Sequence, residues 1–280
     1  MIPTCLRETV TRAIAEDVGR GDLTAALVDD RIEAVAVVIS REAAILCGCP
    51  WFDEVFRQID PRVEIEWFER DGNELVPQQT LCRLHGRAQS LLTGERTALN
   101  FLQTLSGTAT ISRRYAEAIT GTHARMLDTR KTLPGLRNAQ KYAVRIGGCH
   151  NHRHGLDDGI LIKENHIVAI GSIRAAVTAA RVLSSPGMRV EVEVERLDQV
   201  GEARESGADI VLLDNFNLEN LGRAVLLCRG KILTEASGNV NLTTVHAIAE
   251  TGVDFISCGA MTKDMRAIDL SMRFTLGSPG

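Results

Sequence analysis

Six short apolar runs in the second half of the chain each end in residues that can do chemistry. They end at Asp128-Thr129-Arg130-Lys131, Lys163, Glu195, Asp214, Ser237-Gly238 and Cys258-Gly259. In a barrel of parallel strands the active site lies at the carboxyl ends of the strands, because the loops there can vary over a packed core. The pattern therefore predicts an enzyme. Three of these residues are cations and three are carboxylates, so we expect a strongly anionic ligand that is bound together with a metal.

Two pairs of cations are suited to holding an anion. In Arg130-Lys131 the arginine supplies a bidentate fork and the lysine a mobile point charge, so the pair can hold one anion or two separate anionic groups. His152-Arg153 is the second pair. A zinc site is the alternative there, because His150, His152 and His154 alternate along the chain, but no fourth ligand accompanies them. Anion binding therefore fits this segment better.

Lys163 follows the apolar run Gly159-Ile160-Leu161-Ile162. A lysine at the end of a buried barrel strand has two functional interpretations. It can be a Schiff-base nucleophile, as in aldolases, or a cation that contacts substrate. The physical chemistry of the sequence does not choose between them.

Carboxylates share one face of the segment 189–195. The valines of this segment take one face, and Glu191, Glu193 and Glu195 take the other. Three carboxylates on an inner face would repel one another unless they are paired or bind a metal. Together with Asp214 they could bind Mg²⁺ through water and hold sugar hydroxyls. A solvated strand edge is the alternative.

Small residues close the last two strands, in Ser237-Gly238-Asn239 and Cys258-Gly259-Ala260. They allow backbone N–H groups to approach a phosphate at a helix N-terminus, which is the usual phosphate site of such barrels. Each motif alone is a common turn. Their occurrence in the last two strand-to-helix loops predicts a phosphate site.

Composition limits the classes of function. The formal net charge of −4 gives no reason to expect nucleic acid. No apolar stretch approaches the roughly 20 residues of a membrane span, and no secretory segment begins the chain, so we expect a cytoplasmic protein. The seven cysteines lack framework spacing, which predicts reduced thiols. Cys47-Gly48-Cys49 is interpreted as a buried turn rather than a metal or redox site.

The elements that position these residues fall into two domains. Residues 1–107 predict an α/β sandwich, a small sheet with helices packed on it, ending in a helix closed by Gly107. Residues 108–266 repeat a strand, loop and helix, which predicts a parallel sheet. A closed eight-stranded barrel typically needs about 250 residues, so we expect an incomplete, open α/β barrel covered by an N-terminal domain. We expect residues 267–280 to return to the N-terminal sheet.

Several motifs together resemble quinolinate phosphoribosyltransferase, of the type II phosphoribosyltransferase family. They span most of the chain and comprise EDVGRGDLT (16–24), ERTALNFLQTLSGTAT (95–110), DTRKTLPGLR (128–137), the segment from KYAVRIGG to GILIKENH (141–166), VEVEVE (190–195), DIVLLDNF (209–216), EASGNV (235–240) and VDFISCGAMTK (253–263). Departures such as Glu164 in LIKENH, where Asp is frequent, remove no charged ligand.

The resemblance implies a homodimer, or a higher even oligomer, in which one subunit's N-terminal domain covers the barrel of the other. It implies that Arg96 reaches into the neighbouring site and that Lys163, Glu193 and Asp214 are catalytic. It also implies that Glu193 and Asp214 bind Mg²⁺ and ribose, directly or through water or substrate. The implied ligands of the dicarboxylate and phosphates are Thr129, Arg130, Lys131, His152, Arg153 and Lys163. The implied ligands of the 5′-phosphate are Ser237, Gly238, Asn239, Cys258, Gly259 and Ala260.

The implied reaction joins quinolinate to phosphoribosyl pyrophosphate and gives nicotinate mononucleotide, CO₂ and pyrophosphate, a step of NAD biosynthesis. It needs no covalent nucleophile, which weakens the Schiff-base interpretation of Lys163. Three alternatives remain: a barrel aldolase, a phosphate-binding module without turnover, and a related phosphoribosyltransferase for another aromatic acid.

Overall fold

A computed structural model describes residues 2–276 of the 280-residue chain, with the side chain of Leu276 outside the description. Its helices are α1 (Leu6–Val18), α2 (Cys49–Ile59), α3 (Ala88–Ala118), α4 (Arg137–Ile146), α5 (Glu164–Ile170), α6 (Ile173–Leu183), α7 (Leu197–Glu205), α8 (Leu218–Cys228), α9 (Val245–Glu250) and α10 (Ala260–Lys263). Its strands are β1 (Glu33–Ser40), β2 (Ala44–Ile45), β3 (Glu64–Trp67), β4 (Glu74–Leu75), β5 (Thr80–Arg87), β6 (Arg125–Leu127), β7 (Ile160–Ile162), β8 (Val190–Val194), β9 (Ile210–Asp214), β10 (Leu233–Ser237), β11 (Phe255–Ser257) and β12 (Leu270–Leu276).

The chain forms two compact units. The first comprises residues 1–113, 133–148 and 264–280, and the second comprises residues 114–132 and 149–263. This division differs from the boundary expected after residue 107. The segment 133–148 joins the first unit because α4 buries Ala139, Tyr142 and Ala143 in that unit's apolar core.

The first unit is built on an antiparallel sheet in the order β12-β1-β5-β3. Alternate residues of β1 are buried, as expected of a strand with one face on a core. Helix α2 contributes Trp51, Phe52 and Phe56 to that core. Strand β12 pairs antiparallel with β1, so the C-terminal segment returns to this sheet. Residues 277–280 of the expected return lie outside the described residues.

The expectation that Gly107 closes a helix is wrong, because α3 continues through it to Ala118. A Cβ atom at Gly107 would lie 2.1 Å from the backbone oxygen of Arg266. Gly107 therefore allows the segment before β12 to approach the helix closely. Its role is packing, which a sequence cannot distinguish from helix termination.

The second unit is built on six parallel strands in the order β6-β11-β10-β9-β8-β7. Buried apolar residues such as Val192, Val211 and Leu213 fill these strands, which is typical of a parallel sheet covered on its faces. Among the described residues β6 and β7 are the two edges of the sheet, so this is the open α/β barrel that the sequence predicts.

Within residues 2–276 no single helix is long and apolar enough to cross a membrane. The pair α5 and α6 passes that test of length and composition only when taken together, and it is bent by 96°.

Candidate active site

A cavity of about 180 Å³ in the second unit collects the predicted cations. Its walls are formed by residues at or near the carboxyl ends of the strands, and it is lined by Thr129, Arg130, Lys131, His152, Arg153, Leu161, Lys163, Glu193, Leu212, Glu235, Ser237 and Ser257. Side chains that are up to 128 residues apart in sequence thus meet in one place. This position at the strand ends is where barrel enzymes carry their chemistry.

Two guanidinium groups lie close together in this cavity. Burial, and then the charge of Arg130, lower the pKa of Arg153. Arg153 Nη1 donates to the carbonyl oxygen of Gly159 at 3.1 Å, which fixes its direction. A bound anion would offset the repulsion that Arg153 experiences from Arg130 in this desolvated position.

His152 is held on three sides. Its backbone N–H donates to Asp128 Oδ1 at 2.9 Å, and Asp128 Oδ2 accepts from Asn151 Nδ2 at 2.6 Å. Its Nδ1 accepts from the backbone N–H of Arg153 at 2.8 Å, so the neutral ring carries its proton on Nε2. Nε2 then donates to Glu191 Oε2 at 2.9 Å. The ring therefore has one orientation and one tautomer.

Glu191 and Glu235 lie beneath His152. The exposed fractions of these side chains are 5% and 1%, and Glu235 Oε2 is 3.6 Å from His152 Nε2. The three side chains are close enough to surround a metal ion. However, the nitrogen that faces the carboxylates carries a proton, and burial, then the charge of Glu191, raise the pKa of Glu235 and disfavour its anion. These three side chains therefore do not suit a metal site.

A second group of carboxylates suits a divalent cation. Lys163 Nζ lies 2.5 Å from Glu193 Oε2, and the lysine side chain is 48% exposed. Burial, and then the charge of Glu193, raise the pKa of Asp214, while Lys163 and Lys131 lower it. Glu193 and Asp214 therefore repel each other at close range, and a divalent cation between them would remove that repulsion.

Three residues with positive φ shape the neighbouring loops after β9 and β10. Gly238 has φ +89°, and a Cβ there would lie 2.1 Å from Asn215 Oδ1. Asn215 and Asn239 adopt φ of 57° and 54°. Asn239 Nδ2 donates to Asn215 Oδ1 at 3.2 Å, and Asn215 Nδ2 donates to Asp214 Oδ2 at 2.8 Å. The predicted phosphate loop is thus tied to the predicted metal carboxylate.

The loop after β11 lies beside Lys131. A Cβ at Gly259 would lie 3.0 Å from Lys131 Cδ and 3.4 Å from Thr129 Oγ1, and Ala260 begins the single turn of α10. The thiol of Cys258 is buried, and its backbone N–H donates to Leu127 O at 2.9 Å. Of the predicted residues 258–260, Gly259 therefore faces Lys131, Ala260 begins α10, and the side chain of Cys258 points into the core.

The remaining candidates lie elsewhere. Arg96 is exposed on α3 in the first unit. His150 forms a parallel bridge with Leu127, and the backbone N–H of His154 donates to Asp158, so within residues 2–276 the three histidines do not form a metal-binding group. Burial raises the pKa of the Cys47 thiol, in agreement with a structural turn. All seven cysteines are free thiols.

Two residues of this site are absent from the sequence-based candidates: Asn215 and Glu235. Glu235 occupies an inward-facing position of an apolar strand, and such a carboxylate within a buried strand is the signal that could have found it. Asn215 directly follows β9, so its position at a strand end was the available signal. Asp128, predicted as a strand-end residue, and Glu191, predicted as a carboxylate of the segment 189–195, both hold His152 in the structure.

Comparison with known proteins decides the family. The models for the N-terminal and C-terminal domains of quinolinate phosphoribosyl transferase match residues 22–106 and 108–273. The chain belongs to the quinolinate phosphoribosyl transferase family. A solved structure of the nicotinate-nucleotide pyrophosphorylase from Francisella tularensis is 47% identical, with a TM-score of 0.94 over 98% of both chains.

Two curated relatives of this family extend over nearly the same length. The probable nicotinate-nucleotide pyrophosphorylase (carboxylating) of Bacillus subtilis is 38% identical over 98% of this chain and 94% of its own. The protein of the same name from Synechocystis is 41% identical over 93% of this chain and 89% of its own. The similarity therefore covers both units.

Proposed function

We infer that the chain carries out the reaction of its family. It transfers the phosphoribosyl group of 5-phosphoribosyl 1-pyrophosphate to quinolinate and releases CO₂, which gives nicotinate mononucleotide and pyrophosphate for NAD biosynthesis. The observation that carries this conclusion is the cavity in which Arg130, Lys131, His152, Arg153 and Lys163 converge. Quinolinate brings two carboxylates, and phosphoribosyl pyrophosphate brings a 5′-phosphate and a pyrophosphate. A site that holds both substrates therefore needs several cations to offset the repulsion between these anionic groups.

The residues act by positioning and by charge. Arg130 and Arg153 are suited to the two carboxylates, because both line the cavity and the desolvated Arg153 is fixed by Gly159. His152 lines the same cavity beside them, with its Nε2 held by Glu191. The pyridine nitrogen then attacks C1′ of the ribose through an oxocarbenium-like state, and pyrophosphate leaves. The resulting pyridinium withdraws electrons from the bond to the 2-carboxylate. Holding the pyridine nitrogen in line with C1′ supplies much of the rate acceleration.

Lys163 acts as a cation rather than as a Schiff-base nucleophile. A Schiff-base lysine must be neutral, which burial away from carboxylates favours. The Lys163 side chain is instead about half exposed and lies 2.5 Å from Glu193. Neither feature suits a Schiff-base lysine, so this contact supports the phosphoribosyltransferase over the aldolase alternative.

Mg²⁺ is the proposed cofactor, held by Glu193 and Asp214 directly or through water and substrate oxygens. Carboxylate oxygens are ligands that Mg²⁺ accepts, and the raised pKa of Asp214 beside Glu193 supports the fit. When bound, the ion neutralises the charge of the departing pyrophosphate. The loops 237–239 and 258–260 are the proposed site of the 5′-phosphate.

The proposed assembly is a homodimer, or a higher even oligomer, with shared active sites. Its support is the exposed position of Arg96 on α3 and the resemblance of the ERTALN motif to the family. The proposed location is the cytoplasm, which the seven free cysteines support. No nucleic acid or membrane partner is proposed.

A product assay tests the function. Purified protein is incubated with quinolinate, phosphoribosyl pyrophosphate and Mg²⁺, and nicotinate mononucleotide and CO₂ are measured together. We expect equal amounts of both products, and Lys163→Ala should abolish both. Nicotinate in place of quinolinate should give little product. A preference for nicotinate, or release of nucleotide without CO₂, would show a related phosphoribosyltransferase with another substrate.

A further inference from the structure

The decarboxylation requires a proton, and this inference rests on the proposed function. When the bond between C2 of the ring and its carboxylate breaks, CO₂ leaves and the electron pair stays on C2. That carbanion becomes the C2–H of the product only when an acid gives it a proton. The residues assigned above to binding and to charge leave this acid unnamed.

Glu235 lies between two cavities of the second unit. It lines the active-site cavity of about 180 Å³. It also lines a second cavity of about 340 Å³, together with residues at the amino ends of strands, among them Ile160, Met188, Ile210 and Phe255. Of the side chains that line both cavities, His152, Arg153 and Glu235, only Glu235 is a carboxyl group. A carboxyl group in this position lies between the cavity at the carboxyl ends of the strands and the cavity at their amino ends.

The Glu235 carboxyl group is available for chemistry. It is completely buried, and neither of its oxygens makes a hydrogen bond of good geometry. Burial, and then the charge of Glu191, raise its pKa well above the ordinary value for glutamate, which favours the acid over its carboxylate. A buried carboxyl group whose oxygens make no hydrogen bond of good geometry costs stability, so its retention in the core suggests a function.

The other acids around the cavity are less suited to this step. Guanidinium groups do not give up protons under physiological conditions, which excludes Arg130 and Arg153. The Nε2 proton of His152 points at Glu191, and the ammonium group of Lys163 points at Glu193. Lys131 lies beside Gly259 in the proposed phosphate site.

We propose that Glu235 is the acid that protonates the ring carbon from which CO₂ leaves. The O–H bond of Glu235 breaks, the electron pair on C2 forms the C2–H bond, and Glu235 becomes a carboxylate. The two neighbouring carboxyl groups, Glu191 and Glu235, cannot both stay charged in this buried place at low cost. Glu235 therefore takes one proton per turnover from bulk solvent, relayed by water that enters through the second cavity, and the cycle closes with the net uptake of that proton.

Isosteric replacement is the first test. Glu235→Gln keeps the shape of the side chain but carries no acidic proton, so kcat should fall on the order of 100-fold, as for the loss of a general acid. The KM for quinolinate should stay within about threefold, because binding by the arginines is preserved. Glu235→Asp should keep more activity than Glu235→Gln. Glu219→Gln, at an exposed glutamate of α8 outside the cavity, is the matched control and should behave as wild type.

Chemical rescue separates an acid from a structural role. Glu235→Ala leaves room for a small carboxylic acid, so added formate should restore turnover at least tenfold and saturably, with more rescue at lower pH. Glu235→Gln fills that room and should not respond. Glu191→Ala tests whether formate merely fills a hole in the core, because Glu191 is the neighbouring buried glutamate.

The outcomes are distinct. A folded Glu235→Gln protein with kcat within threefold of wild type overturns the assignment, and so does equal rescue of the Glu191 and Glu235 alanine variants. If Glu235→Ala does not fold, as judged by circular dichroism, the assignment stands only if Glu235→Asp is more active than Glu235→Gln. A wild-type protein that releases no CO₂ from quinolinate overturns the proposed function, whereas active wild type with unaffected variants overturns only the role of Glu235.

Discussion

Arg130 and Arg153 are the residues that we expect to set specificity in this site. Burial, and then the charge of Arg130, lower the pKa of Arg153. A monocarboxylate can relieve only part of this repulsion. A dicarboxylate can supply an anionic group to each arginine, so we expect the pair to favour quinolinate over nicotinate.

Replacing one arginine should therefore weaken the choice between the two acids. Arg130→Ala or Arg153→Ala should lower the ratio of kcat/KM for quinolinate to that for nicotinate by about one to two decades, since a charge-assisted hydrogen bond contributes roughly 1.5–3 kcal/mol. Arg174→Ala, on the exposed face of α6, should leave the ratio unchanged. If both cavity variants keep the wild-type ratio, the second carboxylate is bound elsewhere.

Glu193 and Asp214 should affect the other substrate. Glu193→Gln and Asp214→Asn remove charges proposed to hold Mg²⁺, so both should raise the KM for phosphoribosyl pyrophosphate and the Mg²⁺ concentration needed for half-maximal rate. Binding of quinolinate, measured by calorimetry, should change much less, because a carboxylate does not attract an anionic pyridine. Losses of equal size for both substrates would contradict this assignment. Glu219→Gln again provides the matched control.

At the scale of elements, strand ends and the loops after them bring the site together. Ser237 at the end of β10 pairs in register with Asp214 at the end of β9, and Asn215 links Asp214 to the loop that contains Asn239. A change in the loop after β10 should therefore affect Asp214, the carboxylate proposed to hold Mg²⁺, as well as the proposed phosphate site.

Gly238→Ala tests this coupling. A side chain there would have φ near +89° and a Cβ 2.1 Å from Asn215 Oδ1, so the loop must shift. We expect a loss of about 1–3 kcal/mol in the free energy of unfolding and a higher KM for phosphoribosyl pyrophosphate. Gly222→Ala is the control, because Gly222 is inside α8 with open space around it, and this variant should be more stable by roughly 0.5–1 kcal/mol. Unchanged substrate use in a folded Gly238→Ala protein would separate this loop from the site.

The sequence predicted the six parallel strands and the cations at their ends, because apolar runs followed by charged residues are a local signal. It missed Glu235, since the inner face of a barrel is defined only when distant strands pair. Gly107 was misjudged for a related reason: its contact with Arg266 joins segments that are far apart in the chain. The assignment of 133–148 to the first unit likewise depends on tertiary packing.

At the scale of the whole molecule, the open barrel needs a cover. Its sheet ends at β6 and β7 among the described residues, and uncovered sheet edges are prone to unwanted pairing. A second copy of the chain meets this need if each protomer covers the barrel of its partner. Symmetry then requires two equivalent shared sites in each dimer.

Subunit exchange tests the shared site. Arg96→Ala, in the residue proposed to serve the partner's site, and Lys163→Ala, in the residue proposed to serve its own, should each be nearly inactive alone. A mixed dimer would have one intact site and one site that lacks both side chains. Random pairing makes half of the dimers mixed, so activity should recover to about a quarter of the wild-type value. Mixed dimers must be verified by pull-down with a tag on one variant. If they form and no activity returns, Arg96 acts within its own subunit and the proposal of shared sites is wrong.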